Sequence, residues 1–241
     1  MLEALRQQVL AANSSLPAHG LATLTWGNVS GIDRDSRQVA IKASGVPFET
    51  MTTNDVVVVD LDGHRVEGER RPSTDTPTHL ALYRAFDAIG GVVHTHSAWA
   101  TAWAQAEREI PILGTTHADL CPGPIPLTRA LTEVEIEEDY EAATGTALVE
   151  AVGDRDPDEV PAVLVRGHGP FCWAEDPAVA VETAATLEEV ARLALLTTIL
   201  EPDAGPLASA IRDKHFTRKH GPQAYYGQPP AATSGRGRAG G

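Results

Sequence analysis

Residues 89–106 read IGGVVHTHSAWATAWAQA. The run from Ile89 to His96 is short, apolar and β-branched at Val92 and Val93, as in a buried strand. Ser97 stands where a helix cap belongs, ahead of an Ala/Trp-rich segment expected to stay helical to about Ala106. A strand running directly into a helix is the unit of layered α/β folds. The period of two along an extended chain also places the imidazoles of His94 and His96 on one face.

The same alternation extends in both directions. Upstream, Leu2, Leu5, Val9, Ala12 and Leu16 recur at helical spacing until Pro17 and Gly20 end the helix. From Leu21 to Asp62 the pattern changes to short β-branched runs, among them Val39–Ile41 and Val56–Val59, separated by Gly-Asn, Asp-Arg and Ser-Gly turns. Thr76 and Pro77 predict a helix start, with the threonine as cap and a helix to about Phe86. Downstream, Thr132 and Glu135 have capping-box spacing and open an acidic helix through Glu150. Val163–Val165 predict a strand leading into Gly167-His168-Gly169. Asp176-Pro177 then starts the longest helix, whose stripe Leu187, Val190, Ala191, Ala194, Leu195 has the period needed to pack on a sheet. The expected architecture is one α/β domain over residues 1–228, a three-layer α/β/α sandwich. The segment 229–241, PPAATSGRGRAGG, has no apolar periodicity and is expected to be a disordered tail.

The 241 residues carry 19 Lys plus Arg against 33 Asp plus Glu, a formal charge of −14. That balance opposes nucleic acid and anionic membrane as partners, since both need a basic surface. Glu3, Arg6 and two glutamines occupy the place of a signal peptide's apolar core, and no later run approaches a membrane span, so the chain reads as cytoplasmic. Cys121 and Cys172 have no paired spacing and read as buried thiols.

Alone, His94 and His96 could equally be two strand-end histidines with separate hydrogen bonds. His168, between two glycines at the end of another apolar strand, adds a third imidazole. Three neutral imidazoles with one open position suit a catalytic zinc site. Asp75 in Pro-Ser-Thr-Asp-Thr-Pro has a simpler reading as a helix cap, and Asp119 in Gly-Thr-Thr-His-Ala-Asp as a turn residue. Gly27-Asn28, Lys42-Ala43-Ser44-Gly45 and Ser73-Thr74 offer amide, ammonium, hydroxyl and backbone donors, the natural partners of a phosphate monoester.

Read in order, these segments resemble the class II aldolase/epimerase family, in particular its L-ribulose-5-phosphate 4-epimerases. The series runs Thr-Trp-Gly-Asn-Val-Ser (25–30), Lys-Ala-Ser-Gly (42–45), Pro-Ser-Thr-Asp-Thr-Pro-Thr-His (72–79) and Gly-Gly-Val-Val-His-Thr-His-Ser (90–97). It continues with Gly-Thr-Thr-His-Ala-Asp (114–119), Gly-His-Gly-Pro-Phe (167–171), Asp-Lys-His (213–215), Arg-Lys-His-Gly (218–221) and Ala-Tyr-Tyr-Gly-Gln (224–228). The resemblance covers nearly the whole chain. It implies a central mixed, largely antiparallel sheet and metal ligation by His94, His96 and His168 with Asp75 beside the metal. It implies phosphate and substrate binding at Asn28, Lys42, Ser44, Gly45, Ser73, Thr74, Thr115, Thr116 and His215, and a catalytic acid/base pair in Asp119 and Tyr226.

The metal implied is divalent, Zn2+ with Mn2+ or Co2+ as alternatives, and the partner a phosphorylated pentulose in a pentose route such as arabinose catabolism. The assembly implied is a homotetramer with active sites at subunit interfaces. The expected reaction interconverts L-ribulose 5-phosphate and D-xylulose 5-phosphate by retro-aldol cleavage and re-formation of C3–C4, because a C4 carbinol lacks a proton acidic enough for simple abstraction. An aldolase like that for L-fuculose 1-phosphate is the alternative, and an adducin-head-like scaffold without activity a further one. The family more often has Pro at 43, Ser at 74, and a His-Ser pair where this chain has Arg166-Gly167.

Overall fold

The computed structural model of the chain describes residues 2–222 and 224–226; the tail expected at 229–241 lies outside the described residues. Helix α1 is Leu2–Ser15, and strands β1 (Asn28–Asp33), β2 (Gln38–Lys42), β3 (Val56–Asp60) and β4 (Arg65–Glu67) follow. Helix α2 (Thr76–Ala85), strand β5 (Gly91–His94) and helices α3 (Ala98–Gln105), α4 (Thr115–Leu120) and α5 (Glu133–Val152) come next. Strands β6 (Ala162–Val165) and β7 (Gly169–Ala174) precede helices α6 (Pro177–Leu200) and α7 (Ser209–His220).

The seven strands form one sheet in the order β4-β3-β2-β1-β5-β7-β6. Each neighbouring pair is antiparallel, and the parallel contact is a single bridge between Leu127 and Leu164. Side chains alternate between two cores. Val29, Val93, Leu164 and Cys172 pack with Ala12, Trp103, Leu187 and Val190 from α1, α3 and α6. On the other face Val39, Val92, Val163, Phe171 and Trp173 pack with Leu80, Tyr83 and Leu148 from α2 and α5. An antiparallel sheet more often leaves one face to water. Helices on both faces here explain why β3 reads Val-Val-Val-Val-Asp, an apolar run without polar alternation.

Three local expectations need correction. The strand predicted to reach His96 ends at His94, which leaves the exposed His96 on irregular backbone. Ser97 is the N-cap of α3 but its side chain makes no capping bond; the amides of Trp99 and Ala100 donate instead to the Glu188 carboxylate of α6, at 2.8 and 2.9 Å. The N-cap of α2 is Asp75, not Thr76, whose hydroxyl donates to the Ser73 carbonyl. The expected caps at Thr132 and Asp176 are present.

Two histidines are held neutral in the cores. His79 of α2 is fully buried with Nε2 unpartnered, and burial, opposed by Asp75, pushes it down to about 4. Burial does the same to His117 of α4, against the carbonyls of Gly123 and Pro111. In the unfolded chain both protonate near the ordinary value of about 6.5. Between there and pH 4 the unfolded state binds more protons, so stability falls as pH falls through that window, by a few kcal/mol in all. Urea midpoints are expected to drop between pH 7 and pH 5, and His117→Gln should flatten the slope. A midpoint constant across that range would contradict the burial of neutral imidazoles.

Candidate metal centre

The sheet's register builds the centre. Asn28 of β1 lies opposite His94 of β5, and His94 opposite Phe171 of β7. His94 is buried and stacks on the Phe171 ring, with centroids 4.2 Å apart and planes 13° from parallel. His168 sits in the tight β6–β7 turn, its amide donating to Val165. Two glycines permit the approach. Gly27 has φ +93°, and a Cβ there would lie 2.9 Å from the His94 carbonyl oxygen; one on Gly169 would lie 2.6 Å from that of Thr95.

The three imidazoles converge. His94 Nε2 is 3.1 Å from His96 Nε2, which is 3.0 Å from His168 Nε2. Three nitrogens on one tetrahedral zinc are about 3.3 Å apart, from Zn–N bonds of about 2.05 Å. His94 Nδ1 faces the Pro170 carbonyl at 3.0 Å, an acceptor only, so Nδ1 carries the proton and Nε2 presents its lone pair. Burial pushes His94 down to about 3, opposed first by Asp75, and also lowers His96 and His168. Neutral nitrogens at this spacing fit a divalent cation.

Asp75 is not among the converging ligand atoms. An aspartate at an N-cap ordinarily accepts from the helix's free amides. This one makes no such bond; its Oδ2 accepts from Asn28 Nδ2 at 2.6 Å and, more weakly, from Ser73 Oγ at 3.4 Å. The carboxylate is turned from the helix toward the centre. Burial raises its pKa, yet His94, His79 and Asn28 outweigh that and hold it below the usual range.

A cavity of about 400 Å³ joins the expected metal and phosphate residues: Asn28, Lys42, Ser44, Gly45, Ser73, Thr74, Asp75, His94, His96 and His168 all line it. Lys42 is 2% exposed; among the described residues its ammonium meets the Thr25 and Ala43 carbonyls, each at 3.4 Å, and the face of the Phe48 ring, 4.8 Å from its centroid, but no carboxylate within ion-pair distance. Burial lowers its pKa, with Asp55 opposing. A buried cation so weakly partnered favours an anion beside it. Asn28 already directs its N–H groups to Ser73 Oγ, at 2.9 Å, and to Asp75, which joins the phosphate side of the cavity to the metal side.

Thr115, Thr116, Asp119, His215 and Tyr226 do not line this cavity. Asp119, His215 and Tyr226 belong to a separate cluster around α4 and α7, while Thr115 and Thr116 stand at the start of α4. Asp119 Oδ1 meets His215 Nδ1 at 3.1 Å, and the carboxylate takes two bonds from Arg218, at 3.0 and 2.7 Å. Burial raises the Asp119 pKa, but Arg218 and then His215 hold it below the ordinary carboxylate value. The Arg218 guanidinium lies 4.8 Å over the Tyr226 ring, which is 60% exposed. Tyr140 and Glu141 of α5, which the sequence reading passed over, also line the cavity. Asp60, Asp62 and His64 form another group of potential ligands, at the exposed β3–β4 turn, where Asp60 Oδ1 accepts the Asp62 and His64 amides as turn aspartates do.

Comparison with known proteins adds an independent line. Residues 7–195 match the family described as Class II Aldolase and Adducin N-terminal domain. The chain is 54% identical over 227 residues to the L-ribulose-5-phosphate 4-epimerase UlaF of Salmonella paratyphi A (strain ATCC 9150 / SARB42), covering 94% of this chain and 100% of that protein. The UlaF of Salmonella typhi matches to the same extent. Among solved structures, an L-fuculose 1-phosphate aldolase superposes with a TM-score of 0.76 at 25% identity, over 88% of this chain and 94% of that one. The L-fuculose-1-phosphate aldolase of Thermus thermophilus gives 0.65 at 27% identity, over 85% and 100%.

Proposed function

The chain belongs to the class II aldolase and adducin N-terminal domain family, and from that premise we propose that it is an L-ribulose-5-phosphate 4-epimerase, an isomerase interconverting L-ribulose 5-phosphate and D-xylulose 5-phosphate. The observation that carries the reading is one cavity with three converging imidazoles on one side and a buried, weakly partnered lysine on the other. That pairing suits a phosphorylated ketose whose carbonyl end meets a cation and whose phosphate meets Lys42. The relatives named for this activity match over their full length, which supports the same substrate. Intact ligands argue against a scaffold without activity.

His94, His96 and His168 would hold the cation, Zn2+ by their ligand type, with Asp75 beside it. A divalent cation there would supply Lewis-acid polarisation of the sugar's carbonyl. Lys42, Ser44, Gly45, Ser73 and Thr74 bind the phosphate, with Asn28 linking that wall to Asp75. Held at that end, the aldehyde fragment formed when C3–C4 opens can rotate without leaving and be re-joined on its other face. The C4 oxygen must lose a proton on one face and regain one on the other. Asp119 and Tyr226 are the proposed pair for those transfers, with His215, Thr115 and Thr116 around them, contributed to the cavity of a neighbouring copy in a homotetramer. Among the described residues no helix is long and apolar enough to cross a membrane, and we place the enzyme in the cytoplasm.

Asp75 separates the epimerase from an aldolase. A glutamate there would extend one methylene further, toward cation and substrate, whereas Asp75 is held back by Asn28 at 2.6 Å. Incubation with L-ribulose 5-phosphate is expected to yield D-xylulose 5-phosphate with little free glycolaldehyde phosphate, as followed by chromatography. Asp75→Glu is expected to shift the partition toward free fragments. Free fragments as the main products of the unaltered enzyme would replace this reading with the aldolase one.

A further inference from the structure

His94 and His168 each present Nε2 to the centre, so each needs an acceptor at Nδ1 to hold the proton there. His94 has the Pro170 carbonyl. At His168 the partner is the phenol oxygen of Tyr140, 3.1 Å from Nδ1. Arg166, next but one to His168 in sequence, does not take this place; its guanidinium pairs with Glu107 at 3.0 Å.

The chain is shaped to bring Tyr140 there. α5 is broken at Asp139, with φ −161° and ψ 83°, and the Asp139 carboxylate accepts the Ala142 amide at 3.1 Å, capping the second segment. Tyr140 is therefore the first residue of a restarted helix, not part of a continuous one. Thr144 Oγ1 donates to the Tyr140 carbonyl at 2.8 Å, and Thr78 Oγ1 of α2 to the Glu141 carbonyl at 2.7 Å. A Cβ on Gly145 would lie 2.5 Å from Cβ of Ala81, so the restarted segment packs tightly on α2. The tyrosine stands half-buried at the cavity wall on a fixed backbone.

We propose that Tyr140 is a positioning residue of the centre: its phenol oxygen accepts from His168 Nδ1–H and fixes the ring in the tautomer and orientation that present Nε2 to the cation. The proposal rests on the three histidines holding a cation. A phenol is donor and acceptor at once, so this bond leaves the hydroxyl hydrogen free to point elsewhere.

The test uses purified full-length protein, with Zn2+ and Co2+ affinities measured by competition against a chromogenic chelator. Wild type should bind both, and His94→Asn should lose them. Tyr140→Phe is expected to weaken binding by about 10- to 100-fold, the usual effect of deleting a partner of a ligating histidine. It should also shift the visible Co2+ absorption and leave the apoprotein's thermal midpoint within about 3 °C of wild type. A merely structural tyrosine would move that midpoint and leave the Co2+ spectrum alone. Turnover of Tyr140→Phe should recover as cation is raised to saturation. If wild type binds neither cation, the metal reading falls and this proposal with it. If wild type binds and His94→Asn does not, while Tyr140→Phe keeps wild-type affinity and spectrum, only the role of Tyr140 is overturned.

Discussion

Purified His94→Asn is expected to carry almost no metal by atomic emission and to turn over L-ribulose 5-phosphate at least about 10³-fold more slowly, while its circular dichroism stays that of wild type. The rate loss follows from magnitude. Lewis-acid stabilisation is worth several kcal/mol, and each 1.4 kcal/mol is a factor of ten. The fold should survive because the replaced ring is one contact among many in a sheet covered on both faces. Asparagine can still donate to the Pro170 carbonyl that His94 Nδ1 now meets at 3.0 Å. What it loses is the nitrogen 3.1 Å from His96 Nε2 and the stack on Phe171, a change on the order of 1–3 kcal/mol. Unchanged metal content in this variant would show that the ligand assignment is wrong.

The second large effect is expected at Tyr226. Tyr226→Phe removes only a hydroxyl from an exposed ring, so stability should barely change, yet turnover should fall by about 10²- to 10⁴-fold, the range for a lost acid or base. Asp119→Asn should lower turnover similarly, with some loss of stability as the carboxylate between Arg218 and His215 is neutralised. Neither residue lines the cavity of its own chain. The proposal that they serve a neighbour makes a distinctive claim: two inactive variants should rescue each other. The Tyr226→Phe subunit keeps its histidines, and the His94→Asn subunit keeps its phenol. In randomly mixed rings roughly a quarter of sites combine an intact centre with an intact neighbouring tyrosine. Co-refolded protein should recover about that share of wild-type turnover. Mixed oligomers, shown to contain both variants, that stay as inactive as their parents would rule out action across a subunit boundary.

The apolar runs Val39–Ile41, Val56–Val59 and Ile89–His96 point to strands, and strand ends then fix where the histidines and the Lys42-Ala-Ser-Gly segment meet. What escaped the sequence has physical causes. Helix α7 has no buried residue, so it shows no apolar stripe to read. Strand β7 begins Gly-Pro and follows a turn, a pattern that reads as loop, although Phe171 and Trp173 are among the largest buried side chains. Tyr140 lies inside a correctly placed acidic helix, and only the break at Asp139 turns it to the cavity. Asp75 looked like a cap because it occupies the cap position; its diversion to Asn28 depends on the Ser73 amide being tied to the Lys42 carbonyl at the end of β2, beside β1, which no local pattern reports. The resemblance supplied Asp119 and Tyr226 as a pair, and the structure brings them together around Arg218, apart from the histidines.

The carboxylate of Glu188 on the first turn of α3 sets an order of events. An eight-residue helix is too short to persist alone in water, and its starting amides are closed by a side chain 88 and 89 positions further along the chain. Such remote closures slow folding, because a long loop must be ordered before the contact rewards it. The start of α3, directly after His96, is therefore closed only once α6 has docked, so its amides are expected to exchange hydrogen no more slowly than those of α6.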